Sequence, residues 1–271
     1  MVETMVNGVS LHYEDRGPSD GIPVVLVHGH PFDHTLWAPQ VAALTAAGYR
    51  VVTPDLRGYG RSEVVPGTCL LSGFADDIAA LLDTIGLERV VIGGVSMGGQ
   101  ITMEFQRSHP GRVRGLVLSD TSPAAETEEG KAVRAAQADR LLAEGMSDYA
   151  DEVIGRMIAP YNVKALPDVA GHVLAMMRGT APEGAAAALR GRAERPDYRD
   201  TLASAAVPVL ILVGADDDYT PVSEAEAMHS LIPSSDLVVI ERAGHLPGAE
   251  QPQAFNEALL RFLTTRVADR T

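Results

Sequence analysis

The sequence predicts an α/β protein: a mostly parallel, twisted sheet of eight strands with helices on both faces and a helical cap inserted between two of the strands. Three observations carry this expectation. Short apolar runs within 23–27, 89–95 and 113–119 have the length and β-branched content of strands buried on both faces. Segments of helical periodicity separate such runs, and connections of that length imply parallel crossovers with helices on both faces. The alternation then stops from about 123 to 206, where the chain is rich in alanine, arginine and glutamate and shows no strand pattern. The expected organisation is therefore a core of residues 1–122 and 207–271 with a cap of residues 123–206.

Taken in order, residues 3–15 alternate about Asn7-Gly8, a pair suited to both positive-φ positions of a tight hairpin turn, so the chain opens with two antiparallel strands. Residues 23–27 form a buried strand ending in His28-Gly29-His30-Pro31. Residues 37–47 read as a helix closed by Gly48, 50–54 as a strand, and 73–82 as a helix after the glycine-rich loop 55–62. A strand at 89–95 breaks into Gly94-Val95-Ser96-Met97-Gly98, and Met97, Ile101 and Phe105 then recur at helical spacing to residue 109. A strand at 113–119 completes the first part of the core. Within the cap, helices are expected at 131–144, 148–158, 169–178 and 184–192, punctuated by proline or glycine. Strand logic resumes at 208–214. A helix with Thr220 as N-cap and Pro221 at its first position follows, then a strand at 237–240 and a closing helix from residue 252 that carries Phe255, Leu259, Phe262 and Leu263 on one face.

Composition narrows the function. A chain of 271 residues that is 46% hydrophobic can bury a large core. Its formal net charge of −14 disfavours nucleic acid or an anionic membrane as partner, since neither polyanion releases counterions to an acidic surface. Cys69 is the single cysteine, so no internal disulfide framework is expected. The first residues lack a basic segment and an apolar core of signal-peptide length, and no run approaches a membrane span, so a cytoplasmic protein acting on a small molecule is expected. Nothing in the sequence decides between a monomer and a homo-oligomer.

The chemistry centres on Ser96. Gly94-Val95-Ser96-Met97-Gly98 fits G-x-S-x-G, in which a strand-to-helix turn lifts a serine hydroxyl clear of a sheet. A serine hydroxyl needs a base to take its proton, and the base needs a carboxylate to fix its tautomer. His245, in the loop after the last strand, is the candidate base. Asp216, Asp217 and Asp218 stand together after the 208–214 strand, and Asp217 is the candidate acid, with Asp120 at the end of the preceding strand as its competitor. A tetrahedral intermediate needs two donors, and the backbone N–H groups of Met97 and His30 are expected to supply this oxyanion hole. Met146, Met157, Met176 and Met177 are the candidate pocket lining, and the cap cations Arg134, Arg140, Arg178 and Arg190 are candidates to hold a carboxylate-bearing lactone.

In order, His28-Gly29-His30-Pro31, the loop 55–62, Gly94-Val95-Ser96-Met97-Gly98-Gly99, Gly214-Ala215-Asp216-Asp217-Asp218-Tyr219-Thr220-Pro221 and Ala243-Gly244-His245 resemble the successive signatures of the α/β-hydrolase family, over nearly the whole chain. In that family the acid usually lies three residues after the glycine of the fourth motif, which implies Asp217. The resemblance is nearest to 3-oxoadipate enol-lactonases, carboxylesterases and cofactor-free haloperoxidase or perhydrolase-type esterases. It implies a serine hydrolase acting on an ester or lactone without cofactor or metal, with perhydrolysis or C–C or thioester cleavage as alternatives on the same triad. A serine at the elbow argues against the haloalkane dehalogenases and epoxide hydrolases, which use aspartate there. Two other classes compete. His28, His30, Asp33 and His34 approach the H-x-H-x-D-H zinc signature but miss its spacing by one residue. A non-catalytic ligand receptor on the same fold is the other.

Overall fold

The computed structural model describes residues 2–268. Strands β1 (Val2–Val6), β2 (Val9–Arg16), β3 (Pro23–Val27), β4 (Arg50–Pro54), β5 (Val90–Val95), β6 (Val113–Ser119), β7 (Val209–Gly214) and β8 (Ser235–Ile240) form one eight-stranded sheet in the order β1-β2-β4-β3-β5-β6-β7-β8. Strand β2 is antiparallel to β1 and β4, and every pairing from β4 across to β8 is parallel. The opening hairpin turns as expected, with φ 48° at Asn7 and 79° at Gly8.

Alternate residues of the central strands feed opposite cores. Val25, Val27, Val90 and Ile92 pack with α2 (Leu71–Thr84) and α3 (Met97–Ser108), which with α10 (Val222–Leu231) cover one face. Val24, Leu26, Val91 and Val95 pack on the other with α1 (Ala38–Ala46) and α12 (Pro252–Phe262). A strand with both faces covered must be apolar at successive positions, which is why these strands read as unbroken runs.

The sheet also fixes where a site can form. From β3 the chain steps outward to β4, then crosses back to the other side of β3 to make β5. The loops leaving β3 and β5 therefore diverge in opposite directions and open a crevice at the carboxyl ends of the strands. His30 follows β3 and Ser96 follows β5.

Between β6 and β7 the chain forms α4 (Glu128–Glu144), α5 (Ser147–Met157), α6 (Pro160–Ala165), α7 (Pro167–Gly179), α8 (Pro182–Ala193) and α9 (Arg199–Ala203). The short α6 and α9 are too brief to leave a periodic signal in the sequence. Polar ties hold these helices to loops of the sheet: Thr180 Oγ1 donates to Pro31 O at 3.0 Å, Cys69 N to Ala187 O at 3.0 Å and Asn162 Nδ2 to Arg242 O at 2.9 Å. A short helix α11 (Pro247–Glu250) precedes α12, a π-helical turn over Leu263–Val267 follows it, and a 3₁₀ turn at Pro110–Arg112 precedes β6.

Two local expectations are corrected. Residues 34–37 form a 3₁₀ turn seeded by the Asp33 carboxylate accepting from Thr35 N at 2.8 Å, so α1 begins only at Ala38. Helix α10 begins at Val222, and Thr220 does not cap it; its hydroxyl donates to Asp217 Oδ2 at 2.5 Å instead. No helix among the described residues is long and apolar enough to cross a membrane.

Candidate active site

Ser96 sits between β5 and α3 with φ 56° and ψ −117°, a conformation that costs roughly 1–3 kcal/mol and persists only where the surroundings over-determine it. They do so here. Ser96 N donates to Ser119 O at 3.0 Å, and Thr121 Oγ1 donates to Ser96 O at 2.8 Å. The glycines on either side are steric requirements: a Cβ on Gly94 would lie 2.2 Å from the Gly98 carbonyl carbon, and one on Gly98 would lie 2.2 Å from Val27 O.

His245 follows β8, and its Nδ1 lies 2.9 Å from Asp217 Oδ2. Both side chains are buried. Nδ1–H donating to the carboxylate leaves Nε2 as the acceptor. Burial works against the charged form of Asp217, but hydrogen bonds from His245, from Thr220 Oγ1 and from Tyr219 N at 2.8 Å outweigh it and hold the carboxyl below its ordinary range. The Tyr219 ring packs 5.0 Å from the imidazole, with the Arg156 guanidinium 3.9 Å from the Tyr219 centroid. The loop itself is pinned by the buried Glu250 carboxylate, which accepts from Gly244 N at 2.8 Å, Ala159 N at 2.9 Å and Asn162 Nδ2 at 2.7 Å.

Asp120 occupies the neighbouring loop with φ 48°. It accepts from Gly214 N at 2.9 Å and from Ser119 Oγ at 2.6 Å, and its carboxyl reaches within 4.8 Å of those of Asp217 and His245 Nδ1/Nε2. Complete burial, with the Asp217 charge beside it, pushes Asp120 well above the ordinary carboxylate range. Of these two adjacent buried carboxyls, the one bonded to His245 is Asp217.

Met97 is the first residue of α3, so its amide points out of the helix N-terminus, where the dipole favours negative charge. Among the described residues no protein acceptor lies on the backbone N–H of Met97 or of His30. The His30 side chain pairs through Nδ1 with Tyr59 OH at 2.8 Å. Burial, with the charges of Arg192 and Arg134 adding to it, holds the imidazole well below its usual range and hence neutral.

Ser96, His245, His30 and Asp120 open on one cavity of about 590 Å³, roofed by residues of α4, α5 and α8. Of the four methionines expected to line it only Met157 does. Met146 is packed against α4 and α8, and Met176 and Met177 point into the core beneath α7, because a helix covered on two sides spends its apolar side chains on packing. The expected cap cations are corrected as well. Arg140 pairs with Glu144 and Glu152, Arg178 with Asp151 and Arg190 with Asp139, all at the surface and outside the cavity wall. Arg134 does reach the wall, where Arg156, Arg192, Arg195 and Arg199 join it. The position of Arg192 had a signal: Ala185 to Ala188 are buried, and residue 192 lies one helical turn beyond Ala188 on the same face.

The histidine-rich loop does not converge on a point. His28 Nε2 accepts from Leu56 N at 3.0 Å, Asp33 caps the 3₁₀ turn, and His34 Nδ1 pairs with Asp55 at 2.7 Å. The groups of potential ligands among the described residues are His12 with His34 and Asp55, and Asp120 with Asp217 and His245. In the first, Asp55 is already occupied by His34 and by Arg61 N at 2.9 Å.

A family model described as alpha/beta hydrolase fold matches residues 22–252. The 3-oxoadipate enol-lactonase 1 of Acinetobacter baylyi is 30% identical over 94% of this chain and 94% of its own length. The non-heme chloroperoxidase of Streptomyces lividans is 30% identical over 96% of this chain and 98% of its own. A thermophilic esterase from Thermogutta terrifontis, solved with malate bound, superposes with a TM-score of 0.94 at 40% identity, covering 98% of this chain and 99% of that one. The chain thus belongs to the α/β-hydrolase fold family, in the branch of enzymes that holds esterases, enol-lactonases and non-heme haloperoxidases.

Proposed function

We propose that the protein hydrolyses an ester or lactone of a small organic molecule through an acyl-enzyme on Ser96. His245 Nε2 takes the Ser96 proton as Oγ attacks the carbonyl carbon, and the oxyanion is received by the Met97 and His30 amides. The imidazolium then protonates the departing alkoxide. Water attacks the acyl-enzyme next, giving its proton to His245 and releasing the acid as Ser96 regains its own. Asp217 holds the tautomer and stabilises the imidazolium throughout. In this reading residues 123–206 act as a cap that shields the acyl-enzyme from bulk water.

The observation that carries the reading is the conjunction of a backbone-strained serine and an Asp217-bonded histidine on the wall of one cavity. The test is turnover of short p-nitrophenyl esters by the wild type and by Ser96→Ala. Hydrolysis that disappears in the variant, with stoichiometric acylation of the wild type, is expected. Undiminished turnover in Ser96→Ala refutes the mechanism.

Similarity to a non-heme chloroperoxidase favours one variation, in which hydrogen peroxide replaces water in the second half and the released product is a peracid. Assaying peracid formation from acetate and peroxide against ester hydrolysis in the same preparation separates the two.

A further inference from the structure

The cavity wall carries an excess of cations. Arg134, Arg156, Arg192, Arg195 and Arg199 reach it, and the acids facing them there are Glu224 and Asp120, the latter with its carboxyl pushed up by burial and by the Asp217 charge. Behind the wall, Glu126 is shared: it accepts from Arg195 Nη1 at 2.6 Å and from Arg134 Nε. Arg199 is paired with Asp197 at 2.5 Å. Arg156 and Arg192 are left without a carboxylate among the described residues; Arg156 stacks on the Tyr219 ring, 3.9 Å from its centroid, whereas Arg192 is held by a hydrogen bond. Its hydrogen bond runs from Nε to Gln100 Oε1 at 2.7 Å, and Gln100 is buried on α3, the helix that begins at the nucleophile. That bond fixes the plane of the guanidinium, and the two outer nitrogens carry no protein acceptor among the described residues.

Burial and the neighbouring charges of Arg134 and Arg195 press on this cation from the same direction, lowering it to about 9. It shares the cavity wall with His30, Ser96, Tyr149, Tyr219 and His245, so the charge stands within the site rather than behind it. A half-buried guanidinium with no paired carboxylate is costly, and an anion entering the cavity reduces that cost. The planar fork matches a carboxylate in two parallel hydrogen bonds.

We propose that Arg192, held by Gln100, is the anion anchor of the cavity, and that the preferred substrate is an ester or lactone bearing a carboxylate on the part of the molecule remote from the reacting carbonyl. The inference rests on the hydrolase reading of Ser96 and deepens it. Arg192 selects the substrate and orients its acyl carbon; it takes no part in bond making.

The test compares kcat and KM for the p-nitrophenyl monoester of glutaric acid with those for neutral p-nitrophenyl pentanoate. The wild type is expected to favour the anionic ester in kcat/KM by about tenfold or more, chiefly through KM, with the preference shrinking as salt is added. In Arg192→Gln the ratio of the two kcat/KM values is expected to fall at least about tenfold, and Arg192→Lys to restore part of it. A ratio unchanged in Arg192→Gln overturns the proposal. A second measurement needs only the wild type: glutarate is expected to inhibit competitively and glutaramide not to, and equal inhibition by the two overturns it. Inorganic phosphate competing better than glutarate would reassign the anchor to phosphorylated substrates and so overturn the carboxylate. Turnover of the neutral ester with no anionic preference refutes this inference alone, whereas undiminished turnover in Ser96→Ala refutes the hydrolase reading beneath it.

Discussion

Replacing Asp217 by asparagine tests which carboxyl serves the histidine. Oδ2 of Asp217 accepts from His245 Nδ1 at 2.9 Å and from Thr220 Oγ1 at 2.5 Å, while its remaining oxygen accepts from Tyr219 N at 2.8 Å. An asparagine of the same shape has one carbonyl oxygen for these three donors. If that oxygen keeps the Tyr219 amide, the NH₂ faces His245 and is satisfied only when Nδ1 becomes an acceptor. The imidazole proton then sits on Nε2, where the Ser96 proton should go. If the amide flips, the NH₂ instead confronts the Tyr219 N–H. The first arrangement satisfies more donors, so a wrong tautomer is expected, with kcat falling about 10³–10⁴-fold, or roughly 4–5.5 kcal/mol of barrier. Stability should fall by only about 1–2 kcal/mol, since one charged acceptor is lost while the volume is kept. Asp120→Asn is the control. Asp120 bonds to Gly214 N and Ser119 Oγ and makes no hydrogen bond to His245 among the described residues, so its loss is expected to cost less than about tenfold in kcat. Steady-state hydrolysis of a p-nitrophenyl ester, with unfolding of each variant measured in urea, provides both numbers. Equal losses in the two variants, or a larger loss in Asp120→Asn, would refute the assignment of Asp217.

Two further expectations concern the frame around the site. Gly98→Ala places a Cβ 2.2 Å from Val27 O and 2.6 Å from His28 O, both backbone atoms, so α3 must move off β3. A drop in melting temperature on the order of 10 °C, with loss of esterase activity, is expected, and a shift below about 2 °C would contradict the steric account. Glu126 is held at about 2, against an ordinary 4.5: burial opposes its charge, and the Arg195 and Arg134 guanidinium groups more than reverse that. A depressed folded-state value means that the stabilisation is fully present above the unfolded carboxyl value and is lost as pH falls through about 2. After allowance for solvent screening it is worth about 2 kcal/mol at neutral pH. The stability difference between wild type and Glu126→Gln, measured by denaturant titration at pH 7, 5 and 3, should shrink below about pH 4.5, and a difference independent of pH would refute it.

The sequence by itself determined the order of strands and helices and the loops in which chemistry could sit. Strands covered on both faces must be apolar throughout, the Asn7-Gly8 turn needs two positive-φ residues, and the Ser96 elbow needs glycines where backbones touch; each is a local constraint that local residues must meet. The tertiary structure decided what depends on charges and side chains distant in sequence. Three adjacent aspartates and a fourth in another loop look alike in a string; only the fold puts Asp217 against His245 and buries Asp120 beside it, where burial and the Asp217 charge raise its carboxyl. Thr220 read as a helix cap because its neighbours permit one, but the helix begins at Val222, one residue too late for Thr220 to cap it, and its hydroxyl donates to Asp217. The cap arginines show the same limit. Arg140, Arg178 and Arg190 found acids at the surface, while Arg192, one turn past a buried alanine run, met none, since counter-charge is a property of the folded neighbourhood and not of spacing along the chain.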